Sequence, residues 1–195
     1  MVTTLSQPAF LALVGIIALV SLQRLMELRT SRRNAARLRA LGAVEHAAGQ
    51  VPWMQALHGA WLVAIPLEVL ALDRAFEIWV AGPALAVFMM GQALRFAAMH
   101  ALGARWSVRV LTLPGEPPVL HGIFRRLRHP NYLGVILELA ALPLLHGAWI
   151  TALVFSAANA IFLHLRIRAE EAALESAGGY REAMGDRPLF LPRMG

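Results

Sequence analysis

The chain alternates long apolar runs with short polar stretches. The first apolar run extends without a charge from Met1 to about Gln23, around the core Phe10-Leu-Ala-Leu-Val-Gly-Ile-Ile-Ala-Leu-Val20. A second runs from about Met54 to Leu72, and a third from about Ile78 to Met99. Two shorter runs, Tyr132 to Leu145 and Ala148 to Leu165, are split by Pro143 and the His146-Gly147 pair. A hydrocarbon core about 30 Å thick needs roughly 20 residues of helix, which the first three runs supply. The last two are short for independent spans. They predict a helical hairpin whose final turns extend into the headgroup zone.

The pattern predicts an all-α, polytopic transmembrane protein of about five spans, with a polar loop from Gly103 to Asn131 and a charged C-terminal helix end. A secretory leader would need a basic start and a small-residue cleavage site. The chain starts Met1-Val-Thr-Thr and its basic residues come later, so the first run is expected to stay as a helix. No repeat or linker divides the 195 residues, which read as one domain.

Composition points the same way. The apolar fraction is 58% and the charged fraction 15%, with a mean hydropathy of +0.57. Soluble domains carry about 25% charged residues, so there is too little polar surface here for a water-exposed globule. The net charge is +6 and all 18 basic residues are Arg. They lie between apolar runs, which argues against nucleic acid as a partner and for a membrane surface. The stretch Arg24 to Arg39, the loop from Gly103 to Asn131 and the tail from Arg166 hold most of them. Positive charge collects in cytoplasmic loops, which predicts an N-terminus outside and a C-terminus inside the cell. Cysteine is absent, so disulfides, thiolate zinc sites and a Cys nucleophile are excluded. No metal site is expected.

Two clusters carry candidate chemistry. In Pro118-Val-Leu-His-Gly-Ile-Phe-Arg-Arg-Leu-Arg-His-Pro-Asn-Tyr132, Pro130 suits the first turn of a helix. The unsatisfied N–H groups and dipole of that turn favour an anion, such as the carboxylate of a nucleotide-like cofactor. From the residues alone, a positive-inside loop with an interfacial Tyr is the plainer reading of the same stretch. In Arg166-Ile-Arg-Ala-Glu-Glu-Ala-Ala-Leu174, Arg166 and Glu170 share one helix face, whereas Arg168 and Glu171 lie on others. Alone, this is an ordinary exposed ion pair.

Together, "Arg-His-Pro-x-Tyr" opening one helix and "Arg-x-x-x-Glu-Glu-x-x-Leu" closing the next resemble the isoprenylcysteine carboxyl methyltransferase family. The resemblance runs from about Leu113 to the C-terminus. It implies a domain of N-terminal helices (1–112) followed by a catalytic region (113–195), with S-adenosyl-L-methionine as cofactor. It implies that His129, Pro130, Tyr132 and Glu170 hold the cofactor, with Pro118 and Val119 beside it, and that Arg166 faces the acceptor. The family commonly has Tyr after Gly-Val or Gly-Ile; here Phe124 follows Gly122-Ile123 and is expected only to pack.

Upstream, Gln23-Arg24-Leu25-x-Glu27-Leu, Arg32-Arg33-Asn34, Leu113-Pro114-Gly115, Glu138-Leu139 and Asn159 resemble a bacterial branch found beside type III polyketide synthases. That resemblance implies alkylpyrone or alkylresorcinol O-methylation rather than methylation of a prenylated acceptor.

An acceptor carboxylate or acidic enol needs no base, whereas a phenol of pKa about 10 does. Glu68, Glu138 and His164 are the candidate bases, with Glu138 also a candidate acceptor contact, because intramembrane carboxylates are functional hypotheses by default. Glu68 reads equally as a buried carboxylate bonded to backbone. His58 and His100 are expected to be structural. A phospholipid N-methyltransferase, a nicotinamide-dependent sterol-reductase-like enzyme and a non-catalytic membrane protein remain alternatives.

Overall fold

The structure, a computed structural model, describes residues 8–190. The first seven residues of the first predicted run, with the Met1-Val-Thr-Thr start, lie outside the described residues. Among these residues, five helices form the bundle: α1 (Pro8–Ala40), α2 (Gln50–Ala71), α3 (Ile78–Leu102), α4 (Pro130–Leu144) and α5 (Trp149–Ala177). A short α6 (Tyr180–Met184) follows. Four helices, α1, α2, α3 and α5, are long and apolar enough to cross a membrane. The fifth, α4, has 15 residues, about 22 Å of helix. Pro130 sits at its first turn and Pro143 in its last, which fixes both ends. Large side chains such as Trp79 (85% exposed) and Leu19 (68%) point away from the bundle. Such a surface suits lipid rather than water.

Helix α1 is longer than its apolar run predicts. Arg, Leu and Ala are good helix formers, and the helix continues 17 residues past Gln23 to Ala40. Its buried face repeats at helical spacing through Glu27, Ser31, Ala35 and Leu38. The Arg-rich stretch is therefore helix, not loop. A two-stranded antiparallel ribbon was not expected either. β1 (Val44–His46) pairs with β2 (Val110–Thr112), with Val44 opposite Thr112 and His46 opposite Val110. It clips the end of α1 to the long polar loop.

The apolar core gathers Phe10, Leu13, Trp61, Ile65, Phe88, Leu139 and Leu142 from four helices. Trp61 donates its indole N–H to the Leu139 carbonyl at 3.2 Å, so no polar atom of that ring is stranded in the core. Helices α3 and α4 meet at two glycines. A Cβ on Gly134 would lie 2.7 Å from the Gly91 carbonyl oxygen and 2.5 Å from Arg95 Cγ. Gly134→Ala must therefore push the helices apart, and about 1–3 kcal/mol of stability should be lost. A wild-type melting temperature for that variant in detergent would show that the close approach does not hold the pair.

Candidate functional site

The C-terminal ends of α1, α3 and α5 and the N-terminal end of α4 meet on one side of the bundle. Ser31 Oγ on α1 accepts the Val108 N–H at 3.0 Å. Asn34 donates to the Trp106 carbonyl at 2.8 Å. On the other wall of the same loop, Arg166 Nη2 donates to the Val108 carbonyl at 2.6 Å. The polar loop thus bridges α1 and α5 and roofs the space between them.

Beneath it lies a cavity of about 450 Å³ lined by α1, α2, α5 and the loop. Pro118, Val119, His129, Pro130, Tyr132, Arg166 and Glu170 all line it. The structure brings together the two sequence clusters that lie about forty residues apart. The link is the Tyr132 hydroxyl, which donates to Glu170 Oε2 and accepts from Arg166 Nε at 3.2 Å. Arg166 is buried, so the exposed ion pair allowed by its sequence does not form. The Arg and the Glu are joined through the Tyr instead.

The histidine turn is held from several directions. His129 Nε2 lies 2.9 Å from Glu171 Oε1, and Arg128 Nη1 donates to the same oxygen at 3.0 Å. The His129 ring stacks on Tyr132, with centroids 5.4 Å apart. The backbone N–H groups of Arg128 and His129 donate to the carbonyls of Pro188 and Leu189, at 3.0 and 3.2 Å. Arg187 Nη1 reaches back to the Phe124 carbonyl at 2.8 Å. The C-terminal segment therefore laces the turn shut. Phe124 is buried beside Tyr180 and Met184 and packs, as expected.

Sequence alone assigned no role to Glu171 and did not single out Tyr180 or Arg95. Tyr180 is buried on the cavity wall. Burial and the nearby Glu171 and Glu170 carboxylates push its hydroxyl well above the ordinary tyrosine value. It remains a neutral hydrogen-bonding group, not a base. A charge in the middle of an apolar run was the available signal for Arg95.

The three candidate bases are placed elsewhere. Glu68 accepts the Ile150 and Thr151 N–H groups at 3.1 and 2.6 Å and pairs with Arg74 at 2.8 Å. It caps α5 at the end remote from the loop, so its backbone reading holds. His164 is exposed on the outer face of α5 and does not line the cavity. His100 is exposed as well. Glu138, the expected acceptor contact, does not line the cavity. Its carboxylate faces Arg24 and Arg95, with Arg95 Nε 3.3 Å away. Glu27 pairs with the same two guanidiniums, at 2.6 Å from Arg24. Deep in the bundle a carboxylate is stable only when paired, and these two Arg residues claim both. It is Arg24, Glu27 and Arg95 that reach the cavity wall. His58 also lines it, with Nδ1 2.8 Å from the Met54 carbonyl.

Long apolar helices around a cavity with a polar loop end and an apolar wall define the class: a polytopic, helical integral membrane protein. Residues 84–176 match the isoprenylcysteine carboxyl methyltransferase (ICMT) family. The chain belongs to that family, and its relatives include membrane methyltransferases. It is 36% identical over 160 residues to the uncharacterized protein YpbQ of Bacillus subtilis, covering 82% of this chain and 95% of that protein. It is 34% identical over 113 residues to the protein-S-isoprenylcysteine O-methyltransferase of Schizosaccharomyces pombe, covering 56% of this chain and 48% of that protein. The fold matches the eukaryotic intramembrane Ras methyltransferase ICMT with a TM-score of 0.67 at 19% identity, over 98% of this chain and 70% of that one.

Proposed function

We propose that this chain transfers the methyl group of S-adenosyl-L-methionine to an oxygen of an apolar-tailed acceptor drawn from the bilayer. The observation that carries the reading is the Arg166–Tyr132–Glu170 chain on the wall of one cavity.

The residues at the loop end fit the cofactor's chemistry. Among the described residues, Asn131 Oδ1 is buried without a partner beside the first turn of α4, and Arg128 Nε is likewise unengaged. An acceptor atom, a cationic donor and a carboxylate at one helix start suit a zwitterionic amino-acid group. His129, Pro130, Tyr132 and Glu170 would hold that end, with Pro118 and Val119 beside the nucleoside. Bound there, S-adenosyl-L-methionine would supply a methyl group activated by its sulfonium, open to in-line attack by the acceptor oxygen with S-adenosylhomocysteine as the leaving group. The protein's part is alignment and exclusion of water. Arg166 would hold the acceptor anion by a charge-assisted pair.

The apolar end, with Leu25, Leu62 and Phe162, suits the tail. The acceptor is then an isoprenylcysteine-type carboxylate or the hydroxyl of an alkylpyrone or alkylresorcinol, a product type that type III polyketide synthases make. In a cell the Arg-rich side would face the cytoplasm, where the cofactor is, with the N-terminus outside.

Calorimetry in detergent tests the reading. Heat should be released with S-adenosylhomocysteine and not with NADPH; the opposite pattern would refute it. Arg166→Ala should raise the apparent acceptor KM about tenfold while leaving S-adenosylhomocysteine affinity near wild type. An unchanged acceptor KM would remove Arg166 from that role.

A further inference from the structure

The acceptor end of the cavity is not purely apolar. Asn159, only 2% exposed, lines it from α5 with its Oδ1 bonded to nothing among the described residues. Arg24 lines it from α1. Nη1 and Nη2 of Arg24 go to Glu27 and Glu138, while its buried Nε has no partner among the described residues. A buried, unpartnered polar atom costs about 1–3 kcal/mol, so two of them on one cavity wall call for an explanation.

Their depth agrees from two directions. Asn159 precedes Arg166 by seven residues on α5, about 10 Å of helix. Arg24 precedes Ser31 by seven residues on α1, again about 10 Å. Ser31 and Arg166 meet the same residue, Val108, through its N–H and its carbonyl. Since α1 and α5 both run toward the loop, Arg24 and Asn159 form a second polar level, two turns deeper than the reacting end.

The charge at this level is balanced. Arg24 and Arg95 face Glu27 and Glu138. A second anion would find no excess positive charge. A neutral oxygen would find an N–H donor on Arg24 and, if it carries a proton, an acceptor on Asn159. A plain prenyl chain would satisfy neither and would leave both atoms stranded.

Building on the methyltransferase reading above, we propose that Arg24 and Asn159 are specificity-determining residues that recognise a second, neutral oxygen on the acceptor. The acceptor class is a ring with an apolar tail, one oxygen that is methylated as the oxyanion paired with Arg166, its proton having left to water beforehand, and one neutral oxygen that is read. Glu27 and Glu138 act as positioning residues that aim Arg24.

A matched pair of probes tests this: 5-undecylresorcinol and 3-undecylphenol, which differ by one hydroxyl, with labelled methyl donor and full-length protein in nanodiscs. Wild type should favour the resorcinol by about tenfold in kcat/KM, the worth of one buried hydrogen bond. Asn159→Leu should bring that ratio near one, chiefly through KM, and leave S-adenosylhomocysteine affinity unchanged. Arg24→Gln paired with Glu138→Gln, which keeps the charge balance, should shrink the ratio as well. Equal use of the two probes by wild type overturns the proposal. So does a ratio that survives in Asn159→Leu, or no transfer to the resorcinol by protein that binds S-adenosylhomocysteine. Failure to bind S-adenosylhomocysteine would instead strike the methyltransferase reading itself.

Discussion

Glu170→Ala is expected to weaken S-adenosylhomocysteine binding about a hundredfold, the largest effect of any single change on ligand affinity in this protein. Tyr132 is the only described side chain that bonds the Glu170 carboxylate, and it does so from the cavity wall. Removing the carboxylate deletes a charged acceptor from the proposed cofactor end. It also strands the Tyr132 hydroxyl, whose other partner is the donor Arg166. A hydrogen bond to a charged group contributes about 1.5–3 kcal/mol, enough for that hundredfold loss. Arg168→Ala, an exposed change on the same helix, is the control and should bind normally. Isothermal titration in detergent reads both. Equal affinity in wild type and Glu170→Ala would sever Glu170 from the cofactor.

The second large effect falls on stability. Glu138→Leu should destabilise the bundle by about 3–5 kcal/mol, because it leaves Arg24 and Arg95 sharing one carboxylate. The Glu138 side chain is 2% exposed and that of Arg95 is 8%, so water cannot relieve the surplus charge. The double variant Arg95→Met/Glu138→Leu removes one charge of each sign and keeps the Arg24–Glu27 pair of 2.6 Å. It should regain most of the lost stability. Thermal unfolding in detergent compares the three proteins. If Glu138→Leu melts with wild type, the four charged groups do not form an interdependent network. If it melts normally but uses acceptor poorly, Glu138 returns as an acceptor contact.

Much of this arrangement is legible in the sequence itself. The apolar runs at Met54–Leu72 and Ile78–Met99 became α2 and α3 with ends shifted by a few residues. Pro130 opened α4 as its fixed φ demands. Every cofactor-end residue inferred from family resemblance lies on one cavity. What stayed hidden depended on partners distant in the chain. Arg24 read as a loop charge because nothing local shows that Glu138 lies across from it. Glu68 looked like a base because its partners, the Ile150 and Thr151 N–H groups, are more than eighty residues away. Glu171 lies on a different helix face from Arg166 and Glu170, yet His129 comes from another element to meet it. The two three-residue strands carry no periodicity of their own; they pair only because α1 and the loop end side by side.

The shortness of α4 has a mechanical consequence. About 22 Å of helix reaches across only part of a core about 30 Å thick. The Leu145–Ala148 turn is level with the charged turn between α2 and α3: a Cβ on Gly147 would lie 3.2 Å from the Ala75 carbonyl oxygen, and the Phe76 and His146 rings are 5.8 Å apart. Glu68 accepts the first N–H groups of α5 there. The missing length is therefore taken up at the other end, where Gly134, one turn into α4, already packs on Gly91 and Arg95. The first turn of α4 thus opens on the cavity beneath the loop rather than level with the end of α3, which recesses the proposed cofactor end toward the lipid-facing half of the bundle.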